Sequence, residues 1–100
     1  MTLIDKYIRE IQRLCLQHKV KSLYAFGSVL TDQFNNTSDI DLIVDFESQD
    51  LDHYADNYFN LKFALEETFK RKIDLLEERA IRNPYFKQSI ENRRQLIYGN

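Results

Sequence analysis

The sequence predicts an α/β (α+β) domain, a small mixed three-stranded sheet with about four helices packed on it. Short apolar runs near residues 22–26, 39–46 and 71–77 have the length and alternation of strands. Around them, apolar residues recur at the three- and four-residue spacing of amphipathic helices. A chain of 100 residues can build one modest core. We therefore expect a single domain over residues 1–100.

The first half of the chain predicts a helix, a strand, a short helix and a second strand. Apolar residues from Leu3 to Cys15 form one helical stripe, so the first helix is expected over residues 2–18. A strand over 22–26 follows, then a short helix over about 29–33. The segment 31–38 is rich in turn-forming residues and is expected to be a loop over the active site. The second strand is expected over 39–46.

The second half predicts a loop over 47–53, a helix over 52–69, a strand over 71–77 and a last helix over 84–97. Asn83-Pro84 is a typical helix start, and Gly99 can end that helix. The helix over 52–69 carries Phe59 and Phe63 off its main apolar stripe. Such a helix is either packed on several sides or partly covered by a partner. The predicted element order is αβ(α)βαβα.

Two carboxylates one residue apart open the second predicted strand. Side chains at i and i+2 share a face of a strand and lie roughly 7 Å apart, so Asp39 and Asp41 point the same way. Asp is a poor strand former, and hard carboxylate oxygens suit Mg²⁺ or Mn²⁺. Asp74 alternates with its apolar neighbours in the third strand and can face the same side. Asp45 shares the face but lies further along, and we expect an exposed strand-end charge rather than a ligand.

A Gly-Ser pair follows the first predicted strand and supplies the second half of the site. Gly27 permits a positive φ or a close approach to a ligand, and Ser28 lies where a short helix can begin. Backbone N–H groups at such a turn suit phosphate. Each feature alone is weak, because Gly and Ser are routine turn and cap residues and acidic residues are common here. Their ordered conjunction indicates a metal-dependent phosphoryl or nucleotidyl transfer site.

These residues resemble the signature of the DNA polymerase β-like nucleotidyltransferase superfamily. Gly27-Ser28, ten residues, Asp39-x-Asp41 and a later strand with Asp74 carry the resemblance, which covers nearly the whole chain. The small size resembles the minimal nucleotidyltransferase (MNT) branch, the MntA-like antitoxins of HEPN/MNT toxin–antitoxin pairs. The resemblance implies a nucleotidyltransferase fold. One departure is that Thr31 and Asp32 stand where the family commonly has Arg-Gly.

The resemblance also implies a chemistry. MNT proteins move AMP from ATP to a tyrosine hydroxyl of a HEPN toxin and so act as antitoxins. Asp39, Asp41 and Asp74 match the catalytic and metal-binding carboxylates for two Mg²⁺ (or Mn²⁺) ions, and Gly27 and Ser28 match the phosphate-binding pair.

Composition limits the other possibilities. A net charge of −2 without blocks of like charge argues against a general nucleic-acid binder. There is no apolar run of the ~18 residues that a bilayer span needs and no signal-peptide pattern at the N-terminus. A single cysteine, Cys15, cannot form an internal disulfide. These features predict a cytoplasmic protein that does not bind membranes.

Two other functions fit the same residues. A non-catalytic module could neutralise a partner protein by covering it, which the Thr31/Asp32 departure and the aromatic helix would allow. A homodimeric nucleotidyltransferase for a small molecule would need a cleft shared between subunits.

Overall fold

The computed structural model describes residues 2–31, 34, 35, 37–47 and 51–99. The helices are α1 (Thr2–Lys6), α2 (Ile8–Gln17), α3 (Leu51–Phe69) and α4 (Pro84–Arg93), with short 3₁₀ turns at Gly27–Leu30 and Glu78–Ala80. The strands are β1 (Val20–Phe26), β2 (Ile40–Phe46), β3 (Ile73–Glu77) and β4 (Gln95–Gly99). Asp32 and parts of the predicted loops 31–38 and 47–53 lie outside the described residues.

The strands form one mixed sheet in the order β3-β2-β1-β4. β2 pairs with β3 in parallel, and β1 pairs antiparallel with both β2 and β4. The α/β class is therefore confirmed, with four helices of at least five residues in the described part of the chain. The predicted number of three strands is wrong, because the described residues form four.

The fourth strand corrects the prediction for the C-terminal segment. We expected one helix over 84–97, but α4 ends at Arg93, and Arg94 has the extended backbone angles φ −70° and ψ 151°. Residues 95–99 then pair with β1. Gly99 does not end a helix. It has φ +89°, and a Cβ there would lie 2.0 Å from the carbonyl oxygen of Lys21, so glycine allows the strands to approach.

Two predicted helices differ in detail from the observed ones. The helix expected over 2–18 is divided at Tyr7 into α1 and α2. Tyr7 has φ −111° and ψ 17°, outside the helical values. The short helix expected over 29–33 is a single 3₁₀ turn that begins earlier, at Gly27.

The core lies between one face of the sheet and helices α2 and α3. Alternate residues of β2 point into it, as strand alternation requires, and Leu61, Leu65 and Phe69 of α3 cover them. Cys15 is fully buried in this core, and burial raises the pKa of its thiol to about 12. Within the described ranges, no helix is long and apolar enough to cross a membrane.

Helix α3 also protects the free edge of the sheet. Just before β3, the carbonyl of Lys72 accepts a hydrogen bond from the N–H of Ile40 in β2, so the backbone groups of Ile73 and Leu75 face outward. The N–H of Ile73 donates to Glu66 Oε2 at 3.2 Å, and the hydroxyl of Tyr58 donates to the carbonyl of Leu75 at 2.6 Å. Side chains of α3 thus occupy positions that another strand would otherwise pair with.

Replacing Tyr58 with phenylalanine is expected to lower the free energy of unfolding by about 1 kcal/mol, the usual value of one part-buried hydrogen bond. Chemical denaturation checks this value. Tyr85→Phe is the matched control. Tyr85 is 83% exposed, so removal of its hydroxyl is expected to leave the free energy of unfolding unchanged. Equal stability of the two variants would contradict the contribution of the Tyr58 bond.

The opposite face of the sheet is covered in part by the end of α4. Ile43 and Ile90 are buried but lie outside the main core cluster. Tyr24 is directly opposite Ile43, so the two side chains share this face. The guanidinium of Arg94 lies 3.8 Å from the centre of the Tyr24 ring and forms an ion pair with Glu78. This face is the one that carries Asp41.

Candidate active site

Three adjacent strands bring the candidate residues to one level of the sheet. Phe26, the last residue of β1, is opposite Asp41 in β2, and Asp41 is opposite Asp74 in β3. Opposite residues in neighbouring strands share a face. Asp41 and Asp74 therefore meet on the face away from the main core, next to the turn that begins at Gly27.

Gly27 is in contact with the carboxylate of Asp41. It has φ +75°, and a Cβ at this position would lie 2.6 Å from Asp41 Oδ2. Real Cβ atoms do not approach an oxygen so closely. The Gly-Ser pattern predicts a positive φ or a close approach to a ligand at Gly27, and the positive φ is confirmed. The close approach here is to Asp41, a contact that neither residue's sequence neighbourhood indicates.

Asp41 is half-buried, whereas Asp39 and Asp74 are exposed. Burial raises the pKa of Asp41 above its ordinary value, and the carboxylates of Asp74 and Asp39 raise it further, as does a side-chain hydrogen bond with Asp74. Like charges that are gathered in one place disfavour ionisation. The site therefore gathers negative charge, and no basic side chain of the described residues contributes to the pKa shift of Asp41.

Asp39 lies immediately before β2 rather than inside it. The predicted strand 39–46 is one residue too long at its start. Asp39 nevertheless lies near enough for its charge to raise the pKa of Asp41, although the three carboxylates are not grouped closely enough to hold a metal by themselves. In the sheet, Asp41 and Asp74 are fixed by strand pairing, whereas Asp39 depends on the turn that precedes it.

The carboxylates suit a metal ion that is bound jointly by the protein and a nucleotide better than an ion that is bound by the protein alone. Among the described residues, no three His, Cys, Asp or Glu side chains are grouped closely enough to hold a metal. Mg²⁺ in proteins is usually bound by one or two carboxylates together with substrate phosphates and water. The Asp41–Asp74 pair supplies that number of carboxylates, with Asp39 adjacent.

Ser28 and Thr31 define the turn after β1. The carbonyl of Ser28 accepts hydrogen bonds from the N–H of Thr31 and from its hydroxyl, both at 2.9 Å. Thr31, which stands where the resembled family commonly has Arg, thus closes the 3₁₀ turn that begins at Gly27. A threonine can do this without carrying the positive charge that an arginine would bring.

Asp45 differs from the prediction for it. We expected an exposed strand-end charge, but the side chain is only 18% exposed and forms an ion pair with Arg79 at 3.1 Å. Arg79 also donates to the carbonyl of Phe46 at 2.6 Å. Asp45 therefore forms a structural ion pair at the far end of β2 and does not belong to the site of Asp41 and Asp74.

Arg71 is a residue near the site that the sequence pattern did not indicate. Its guanidinium donates to the backbone carbonyls of Asn35 and Ser38 at 3.1 and 3.0 Å, which joins the loop before Asp39 to the start of β3. An arginine between two lysines gives no signal of such a contact, because the partners are more than thirty residues away in sequence.

The sequence of this chain matches a known family and several named relatives. The family described as "Polymerase beta, Nucleotidyltransferase" matches residues 9–100. Two Methanocaldococcus jannaschii proteins, named as candidate protein adenylyltransferases MJ1379 and MJ0128, are 35% and 38% identical to this chain. Each alignment covers 93% of this chain and 98% of the relative.

Solved structures share the fold. A structure of a candidate minimal nucleotidyltransferase superposes with a TM-score of 0.78 at 25% identity, covering 92% of this chain and 90% of that chain. A complex described as a tri-AMPylated Shewanella oneidensis HEPN toxin with an MNT antitoxin gives a TM-score of 0.64 at 20% identity. There the superposition covers 96% of this chain and 72% of that chain. A toxin–antitoxin structure with AMP-PNP gives 0.70 at 21% identity, covering 93% and 73%.

Proposed function

Because this chain belongs to the polymerase beta nucleotidyltransferase family, we propose that it transfers AMP from ATP to a hydroxyl group of a protein partner. The observation that carries this proposal is the meeting of Asp41 and Asp74 at one level of the sheet, against Gly27. The two relatives named as protein adenylyltransferases support a protein as the acceptor of AMP. The structure with AMP-PNP supports an adenine nucleotide as donor.

Asp39, Asp41 and Asp74 would hold two Mg²⁺ or Mn²⁺ ions. Such ions neutralise phosphate charge and polarise the reacting oxygens. The raised pKa of Asp41 fits this role, because a carboxylate crowded by like charges gains most from a nearby cation.

The remaining residues would orient the nucleotide. Backbone N–H groups of Gly27 and Ser28 would bind the β- and γ-phosphates, at the turn that Thr31 closes. The acceptor oxygen attacks the α-phosphorus, a new P–O bond forms, and the bond to pyrophosphate breaks. Asp74, the exposed member of the strand pair, would accept the proton that the hydroxyl loses.

The acceptor is proposed to be a tyrosine of a HEPN-type toxin, so that the protein acts as an antitoxin. The neighbouring structures of HEPN toxins with MNT antitoxins support this choice. The described residues form one small sheet with its helices and no further layer that could enclose an acceptor. The exposed rings of Phe59 and Phe63, 50% and 59% accessible and stacked on each other, leave apolar surface available on α3.

A non-catalytic binding module is the second candidate. The exposed aromatic pair on α3 favours it, since contact alone could then neutralise a partner. The burial of Asp41 and its crowding by Asp74 and Asp39 oppose it, because a binding module has no use for a carboxylate in such an unfavourable position. A homodimeric enzyme for a small molecule would show a stable dimer in the absence of any partner.

Label transfer tests the proposal. ATP labelled at the α-phosphate, with Mg²⁺, is expected to label a partner that co-purifies with the protein, whereas ATP labelled at the γ-phosphate is not, because pyrophosphate leaves. Chelation of the metal is expected to stop the transfer. A tight partner that gains no label, together with a protein that binds no ATP, would reject catalysis in favour of the binding module.

A further inference from the structure

Arg71 connects the loop before Asp39 to the strand that carries Asp74. One guanidinium nitrogen, Nη1, donates to the carbonyl oxygens of both Asn35 and Ser38. The guanidinium plane also lies 4.7 Å from the centre of the Phe34 ring, a distance at which a cation is attracted to an aromatic face. Arg71 itself is half-buried and lies two residues after the end of α3.

The segment that Arg71 holds is a closed turn. The N–H of Ser38 donates to the carbonyl of Asn35, and the N–H of Asn35 donates to Ser38 Oγ, both at 3.1 Å. The N–H and the hydroxyl of Thr37 donate to Asn35 Oδ1 at 2.9 and 2.7 Å. Because these bonds fix the turn internally, a cation that binds two of its carbonyls fixes the position of the whole turn.

Asp39 is held from both sides by the Arg71–Lys72 segment. Ser38, the residue before it, accepts a hydrogen bond from Arg71 at 3.0 Å. Ile40, the residue after it, donates its N–H to the carbonyl of Lys72 at 3.2 Å. The backbone of Asp39 is therefore tied at each end to residues that directly precede β3, although Asp39 lies outside the paired part of β2.

We propose that Arg71 is a positioning residue that keeps Asp39 beside Asp41 and Asp74. The inference rests on the proposed function, in which these carboxylates bind a divalent cation. Loss of the Arg71 contacts would release the turn at Ser38 while the strand pairing of Asp41 with Asp74 persists. Outer contacts that orient a ligand typically change metal affinity by about ten- to a hundredfold.

The test compares Arg71→Met with Arg79→Met. Methionine keeps an apolar stem of similar length and removes the donors. Arg79 is a matched control because it also bonds a backbone carbonyl, that of Phe46, and lies 6.0 Å from the Tyr54 ring, but at the far end of β2. Arg71→Lys tests rescue, since an ammonium can also donate to two carbonyls.

Mn²⁺ binding in the presence of a non-hydrolysable ATP analogue, followed by electron paramagnetic resonance, is the first readout, because the site suits a metal that is bound together with a nucleotide. Arg71→Met is expected to bind Mn²⁺ about tenfold more weakly than the unmodified protein, Arg79→Met equally well, and Arg71→Lys in between. Amide exchange is the second readout: Arg71→Met is expected to raise exchange over residues 34–40 and leave β1 unchanged.

The outcomes separate the two proposals. If the unmodified protein binds no Mn²⁺, the proposed function fails and the role of Arg71 fails with it. If the unmodified protein binds Mn²⁺ and Arg71→Met binds it equally well, only the positioning role is overturned. A loss of affinity in Arg79→Met as large as that in Arg71→Met would also overturn it, because the effect would then be general destabilisation.

Discussion

Asp41→Asn is expected to abolish nucleotidyl transfer and, at the same time, to stabilise the metal-free protein. The rate is expected to fall by on the order of a thousandfold, since charge stabilisation by a bound metal amounts to several kcal/mol. The melting temperature at neutral pH without metal is expected to rise, because asparagine removes a crowded negative charge and can still donate to Asp74. Label transfer and thermal unfolding with a chelator measure the two effects.

The sign of the stability effect follows from the pKa of Asp41, which is raised in the folded protein. In the pH range between the ordinary Asp value and the raised pKa, the folded state binds more protons than the unfolded state. Stability therefore falls as the pH rises through this range, and the loss is complete above the raised pKa. Asp41→Asn is expected to lack this component of the pH dependence.

Asp45→Asn is the matched control. Asp45 lies on the same face of the same strand, but it forms an ion pair with Arg79. The variant is expected to keep transfer and to gain no stability, since it loses a favourable partner rather than a repulsive one. If Asp41→Asn lowered the metal-free melting temperature, or if Asp45→Asn lost transfer as completely, the assignment of Asp41 would be wrong.

Opposite effects on activity and stability would identify a residue that is retained for function. A carboxylate that served the fold would be paired, as Asp45 is with Arg79. Asp41 instead faces two further carboxylates. Sites that are organised for a ligand commonly reduce the stability of the empty protein, and a ligand that binds only the folded state restores it.

The face of the sheet that carries the site could be predicted because strand alternation is a local property. Ile40, Leu42 and Val44 are buried in the core, which leaves Asp41 on the other face, and the same rule applies to Asp74. The level at which these residues meet depends on register, which the spacing alone did not give. The resemblance supplied that expectation, and the pairing of Asp41 with Asp74 agrees with it.

The features that could not be predicted all depend on contacts between distant residues. Ile97 fits a helical stripe with Ile90, and only pairing with β1 makes residues 95–99 a strand. Arg71 contacts a turn more than thirty residues earlier. Burial of Asp45 requires Arg79. In each case the local sequence is compatible with two structures, and tertiary contacts select one of them.

The contact between Gly27 and Asp41 gives a second prediction with a large effect. Gly27→Ala places a methyl group 2.6 Å from Asp41 Oδ2, on a backbone with φ +75°. The left-handed backbone costs a residue with a Cβ about 1–2 kcal/mol, which unfolding experiments measure. The carboxylate must also move away from the methyl group. A displacement of about 1 Å at a reacting centre lowers rates by on the order of a hundredfold.

Gly27→Asn separates the two causes. Asparagine adopts positive φ more readily than alanine, so the free energy of unfolding is expected to recover in part. Its Cβ still meets Asp41, so transfer is expected to stay as low as in Gly27→Ala. If transfer recovered together with stability, backbone strain alone would explain the loss. If Gly27→Ala kept full transfer, the position of the Asp41 carboxylate would not matter for the reaction, and the site as described here would be wrong.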